Sequence, residues 1–308
     1  MPNMKFFTLL AGLSLAVCVV AMAQSSLPIV VKHDAGETRI PSRPKRVVIL
    51  GPTALEVALV LGIQPVGYGA VPPYVPEDSE VGQPIKYPLI YTKYTKGQPI
   101  FIGSSAKPSF EVITSLKPDL IIYDARSNDL FQTLDDIAPI IAFNFSKVGA
   151  ANRALEAVAL ATGRQRQAVE VKRNLARTAS INKTLLQGVL AKGKRMNIFL
   201  VTNAAVFRAG LQSDIGQQLT SLGFEVVGAT KDSNLDLISL ESLPLQRANI
   251  GLVVFSANTP STRRDKIMSL LKKSSVARVG RYDLRPDRLT IGPISEPLLL
   301  NDLTKLLR

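Results

Sequence analysis

Short apolar runs alternate with helical periodicity from about residue 28 onward. Pro28 to His33 and Glu37 to Ile40 flank Asp34-Ala35-Gly36, a turn signal, and predict a β-hairpin. Arg46 to Leu50 reads as a buried strand ending in Gly51-Pro52-Thr53. Ala54 to Leu61 then places apolar residues at helical spacing until Gly62 ends the run. Pro65 to Tyr68 predicts a further strand, and the aperiodic stretch from Gly69 to Gly103, rich in Pro, Gly and Tyr, predicts a long functional or mobile loop. Helix, strand, helix and strand follow at Ser109 to Ser115, Asp119 to Tyr123, Asn128 to Asp136 and Pro139 to Phe143.

Ala150 to Ala161 is helical and Gly163 breaks it. Arg164 to about Leu190 then predicts one continuous helix of about 27 residues, roughly 40 Å at 1.5 Å per residue, long enough to join two lobes. After the basic stretch Lys192 to Arg195, strands are expected at Met196 to Thr202, Phe224 to Val227, Ile250 to Phe255 and Val279 to Tyr282. Helices are expected at Asp214 to Leu222, Leu240 to Leu245, Thr262 to Leu271 and Glu296 to Leu307. Strands alternating with helices imply parallel sheets with crossover helices. The expected fold class is α/β: two αβ lobes, each with a central, mostly parallel sheet flanked by helices, joined by a long spine helix. Its ligand site should lie outside the carboxyl ends of the strands.

The first residues change the picture of the compartment. Lys5, the uncharged stretch Phe6 to Val20 and the small-x-small Ala21-Met22-Ala23 have the form of a signal peptide cleaved after Ala23. Cys18 follows Leu15-Ala16-Val17, but Val17 suits a lipoprotein box poorly, so export without lipidation at Cys18 is expected. The boundaries expected are 1–23 for the signal, 24–148 for the first lobe, 149–192 for the helical linker and 193–308 for the second lobe. Of 308 residues, 46% are hydrophobic and 20% charged, which suits a globular chain. A formal net charge of +13 on an exported protein points to anionic small ligands or anionic lipid surfaces and away from nucleic acid. One Cys and one His leave no disulfide framework and no Cys/His zinc cluster. With no G-x-S-x-G elbow, and GPTALE where a dinucleotide fold needs G-x-G-x-x-G, neither a hydrolase nor an oxidoreductase is expected.

Four stretches taken together, GETRIPSRPKRVVIL, LEVALVLGIQPVGYG, SFEVITSLKPDLIIYDAR and LTIGPISEPLLLNDLTKLL, resemble the iron-siderophore solute-binding proteins of ABC importers. That class has two lobes and a rigid interlobe helix, and also includes haem- and cobalamin-binding members. The resemblance implies a monomeric, non-enzymatic protein without a resident cofactor or metal of its own. It would capture an iron(III)-siderophore complex in the interlobe cleft and deliver it to a membrane permease with its ATPase. It further implies that Glu111 and Glu241, each at the start of a short helix in one lobe, dock onto Arg residues of the permease through charge-assisted pairs. Read locally, both are helix-start carboxylates favoured by the macrodipole.

For the ligand, the resemblance points to Arg126 in YDAR, where the catecholate-siderophore branch carries an Arg. The chain departs from that branch elsewhere. GLQSDIG puts Asp214 where an Arg is usual, Ser256-Ala257 replaces Asp-Arg, and an aromatic is missing near Arg288. Arg208, in a strand-to-helix loop, and Arg263 and Arg285, after later strand ends, are candidates to compensate; Arg288, Tyr123 and Asn258 are further ligand candidates. Tyr68, Tyr91 and Tyr94, interleaved with Lys93 and Lys96, either ligate iron, stack on a chelate ring, or belong to a mobile lid. Hydroxamate, mixed-ligand and haem chelates stay open beside catecholates, and His33, in the hairpin, is expected to be structural.

Overall fold

The computed structural model describes residues 28–71, 74–125, 129–147, 149–211, 213–228, 235–256, 258–283 and 292–308, with the Asp214 side chain left out. The hairpin forms as expected from β1 (Ile29–His33) and β2 (Gly36–Ile40). The first lobe continues with β3 (Val47–Leu50), α1 (Pro52–Val60), β4 (Gly67–Gly69), β5 (Ile100–Phe101), the short pair β6 (Gly103–Ser104) and β7 (Lys107–Pro108), and α2 (Phe110–Ser115). It ends with β8 (Leu120–Asp124), α3 (Phe131–Asp135) and β9 (Ile140–Phe143). Five strands form a wholly parallel sheet in the order β5-β4-β3-β8-β9.

The continuous apolar runs of β3 and β8 follow from burial on both faces. Val47 and Ile49, with Leu120 and Ile122, enter the core beneath α1. Val48 and Leu50, with Ile121 and Tyr123, alternate into the opposite core. Helix α1 is apolar nearly all round because it is buried over almost its whole length; Glu56 is its one charged residue.

The linker comprises α4 (Ala150–Thr162), a left-handed Gly163, α5 (Gln165–Leu185) and α6 (Gln187–Lys192). The single helix expected to reach Leu190 is therefore interrupted at Leu186. That side chain is fully buried in the second-lobe core, and Gly188, a poor helix former, follows two residues later. The 21 residues of α5 span about 32 Å.

In the second lobe, β10 (Arg195–Val201), β11 (Val206–Ala209), α7 (Asp214–Ser221), β12 (Glu225–Val226), β13 (Leu235–Ile238) and β14 (Arg247–Phe255) are followed by α8 (Ser261–Lys272), β15 (Ser275–Asp283) and α9 (Ser295–Leu307). The main sheet runs β13-β11-β10-β14-β15, with β12 against the start of β10. Strands β10, β14 and β15 are parallel, whereas β11 and β13 are antiparallel additions that the hydrophobic pattern did not predict. The turn that sends β11 back along β10 has no Gly or Pro: the Thr202 hydroxyl accepts from the Ala204 and Ala205 amides at 3.3 and 3.0 Å. A side-chain hydroxyl thus does what turn residues normally signal.

Helix α9 is a second strut between the lobes. Ile294, just before it, packs in the first-lobe core, whereas Leu299, Leu300, Leu303 and Leu307 pack in the second. Asn182 of α5 donates to Asn301 of α9 at 2.9 Å and ties the two struts together.

Candidate ligand-binding site

The carboxyl ends of the first-lobe strands surround a hollow of about 290 Å³ lined by Pro52, Val71, Tyr74, Ser105, Ala106, Tyr123 and Asp124. Its floor is made by the turn from β3 into α1. Gly51 stands there at φ 111°, and a Cβ would collide with the Cβ of Asp124, so only glycine lets β8 approach the turn. Burial, and then the nearby Asp124 and Asp129 carboxylates, raise the Tyr123 phenol above its usual pKa. It stays protonated, and its ring, itself buried in the core, forms part of the wall of the hollow.

Tyr68 lies on β4, fully buried, and does not line the hollow. Its hydroxyl has no hydrogen-bond partner among the described residues. Burial, together with Tyr74, Tyr87, Glu56 and Asp124, pushes its pKa well up. Tyr91 is also turned inward, donating its hydroxyl to Glu56 Oε1 at 3.3 Å. The loop expected between Gly69 and Gly103 contains a 3₁₀ turn, Leu89–Tyr94, pinned at both edges. Gln64 Nε2 donates to the Tyr94 carbonyl at 2.9 Å, and the Lys96 amide donates to Gln64 Oε1 at 2.9 Å. Lys93 rests over the Tyr94 ring at 4.7 Å. These contacts make the turn an anchored segment of the lobe.

The matching strand ends of the second lobe carry guanidinium groups. Arg263 donates from Nε to the Thr202 carbonyl at 3.0 Å, joining α8 to the end of β10. Arg264 donates to Asp283 at 2.6 Å and to the Thr259 carbonyl at 2.7 Å, and with Arg281 it covers the Phe255 ring. Asn258 is exposed in the turn after β14. The sequence reading missed Arg264 and Arg281; the adjacent pair Arg263-Arg264 just after a strand end was the available signal. Arg208 lies on β11, not in a strand-to-helix loop, and pairs with Asp236 at 3.5 Å. Arg126, Arg285 and Arg288 lie outside the described residues. His33 is held structurally, bonded to Thr38 Oγ1 at 2.9 Å and tilted against Phe131.

The residue that ties the lobes together was also missed. Glu56 is fully buried, and its Oε2 accepts from the Ile294 and Ser295 amides at 2.9 Å each and from the Ser295 hydroxyl at 3.0 Å. An anion thus caps the amino end of α9 across the lobe boundary, where the helix dipole favours it. A Cβ on Gly292 would lie 2.5 Å from that oxygen, so the approach requires glycine. Beside this latch, Phe145, Leu155, Leu175, Gln217, Pro293 and Glu296 help wall an interlobe crevice of about 110 Å³.

Glu111 and Glu241 are both exposed, each in the first turn of a short helix of its own lobe. Hydrogen bonds from its own backbone N–H and from the Ser239 hydroxyl, with Lys266 nearby, hold the Glu241 carboxyl below the usual range. Among the described residues no group of three or more His, Cys, Asp or Glu side chains gathers to hold a metal ion.

Two lobes of this topology, joined by stiff helices and bearing a hollow at the strand ends, define a binding protein. The periplasmic binding protein family model matches residues 47–270, and the chain belongs to that family. The Fe(3+)-citrate-binding protein YfmC of Bacillus subtilis is 29% identical over 267 residues, 85% of this chain and 79% of that protein. The putative ABC transporter substrate-binding lipoprotein YhfQ of the same organism is 37% identical over 150 residues, a match that spans only 43% of its length. Among solved structures, Staphylococcus aureus SirA complexed with staphyloferrin B superposes with a TM-score of 0.73 at 23% identity, covering 91% of this chain and 98% of that one, and shares the fold.

Proposed function

We propose that this chain is the exported substrate-binding component of an ABC importer that captures a ferric siderophore and delivers it to a membrane permease. The observation that supports this reading is a neutral phenol, Tyr123, at the wall of the first-lobe hollow, with the half-buried Arg263, which has no ion-pair partner among the described residues, at the second-lobe strand ends. Phenol and guanidinium donors bind the peripheral oxygens of an anionic chelate without displacing the groups that hold iron. Relatives named for ferric citrate binding support the same class of cargo. Export with cleavage after Ala23 and action as a monomer belong to this reading, as does the placing of Arg126 and Arg288 at the ligand.

The test is quenching of tyrosine fluorescence, undisturbed by tryptophan because the chain has none. The protein from residue 24 is titrated with ferric citrate, ferric hydroxamate, ferric catecholate, haem and cobalamin. Saturable quenching by one ferric chelate is expected. Binding of haem or cobalamin alone replaces the cargo, and silence from all five removes the reading. The docking role of Glu111 and Glu241 is tested separately, since their double alanine variant should bind the chelate normally and lose uptake into cells.

A further inference from the structure

Positive charge is dense along the helical linker. Residues 164–195 contain nine Lys and Arg and a single acid, Glu170, a net of +8 out of the chain's +13. Helix α5 turns Ala168, Leu175 and Asn182 toward the body, and at about 100° per residue this sets Arg166, Arg173 and Arg177 on the outward face. All three are exposed. Arg166 and Arg177 have no ion-pair partner among the described residues, and Arg173 reaches only the exposed Glu170, at 3.9 Å.

Aliphatic side chains are interspersed with these cations. Val169, Ile181 and Leu185 are exposed along the same helix. Leu185 leads into a trough of about 450 Å³ with Val189, Ile250 and Ala277 in its wall and Lys192 and Arg278 beside them. The trough lies by the amino ends of β14 and β15, at the opposite end of the sheet from the candidate ligand site. Neither the binding of a chelate nor the two docking carboxylates use this face.

We propose that the outward face of the spine helix and its adjoining trough dock on a membrane surface rich in acidic phospholipids. Lys172 and Arg195 pair with Glu156 and Glu225, but Arg166 and Arg177 on the outward face do not form ion pairs among the described residues, and such flexible cations match a fluid array of phosphodiesters. Aliphatic groups between them enter the boundary of the acyl region, as on interfacial amphipathic helices. The cations are strung along a helix about 32 Å long and converge on no single concave point. That arrangement favours an extended charged plane over one shaped anion or an acidic protein loop.

The test uses the chain from residue 24, which retains every core cluster and lacks the apolar stretch that would itself partition into lipid. Co-sedimentation is measured with phosphatidylcholine vesicles with and without phosphatidylglycerol, at low and high salt. Binding only to the acidic vesicles, and its loss at high salt, are expected. The triple variant R166Q/R173Q/R177Q should bind them roughly tenfold more weakly or worse. Removing the same charge elsewhere, as K32Q/K45Q/K107Q, should have a much smaller effect, and L185Q should weaken binding at constant salt. Equal binding to both kinds of vesicle overturns the proposal, as does equal loss in the two triple variants. Undiminished vesicle binding by the spine variant also overturns it, even if that variant no longer binds an acidic polypeptide such as polyglutamate.

Discussion

Glu56→Ala strips the interlobe latch of its acceptor. Four donors lose this acceptor: the amides of Ile294 and Ser295, the Ser295 hydroxyl and the Tyr91 hydroxyl, at 2.9, 2.9, 3.0 and 3.3 Å. Glu56 and Ser295 are fully buried, so solvent does not take over without rearrangement. Each hydrogen bond to a charged group contributes about 1.5–3 kcal/mol, but the donors relax together, and breaking a buried charged network by removing one partner costs about 3–5 kcal/mol in total. A loss of about 4 kcal/mol, at about 2–4 °C per kcal/mol, lowers Tm by roughly 8–16 °C. Glu56→Gln keeps one carbonyl oxygen for the two amides, gives up the charge, and should fall about halfway. Differential scanning calorimetry reads both variants, and separation of the transition into two peaks would show the lobes uncoupled. An alanine variant within about 3 °C of the parent refutes the latch.

Gly51→Ala should destabilise the first lobe by about 2 kcal/mol or more in urea unfolding, because φ 111° and the Asp124 side chain both reject a Cβ. Burial raises the Glu296 carboxyl, with Glu56 adding to it and a hydrogen bond with Gln218 opposing it. A raised folded-state value imposes no penalty while the group is protonated in both states, and a growing one as pH rises past the ordinary carboxylate range. Glu296→Gln should therefore gain stability relative to the parent between about pH 4 and pH 7, and a pH-independent difference would contradict that. Tyr123→Phe removes a phenol from the wall of the hollow and should weaken chelate binding about threefold to tenfold by fluorescence titration.

Several elements were legible because their local and global requirements coincide. The apolar runs at β3, β8, β10 and β14 are buried on two faces and need no particular neighbour to be recognised. Glycines at 51 and 163 punctuated the chain where positive φ is required. By contrast, β11 and β13 carry ladder partners in place of strong apolar patterns, and the kink at Leu186 depends on where that side chain finds its core.

The candidate site divides in the same way. Asn258 and Arg263 could be placed beyond the end of β14, and Tyr123 near the end of β8, because strand ends meet at one edge of any parallel sheet. Tyr68 and Tyr91 share the composition of a ligand-binding loop, yet their rings are buried, and Arg208 meets Asp236 across two strands distant in sequence. Glu56 was visible only as one charge in an apolar helix; what it binds lies 238 and 239 residues away.

By itself, the sequence determined the two-lobed αβ order, the hairpin, the helical linker and the excess of positive charge, since these follow from periodicity and composition within short windows. Only the tertiary structure decided which tyrosines face the hollow, which arginines are already paired, and that a buried carboxylate fastens the last helix to the first. Those facts depend on contacts between residues far apart in the chain, where burial fixes the strength of a hydrogen bond or charge and no local pattern records the partner.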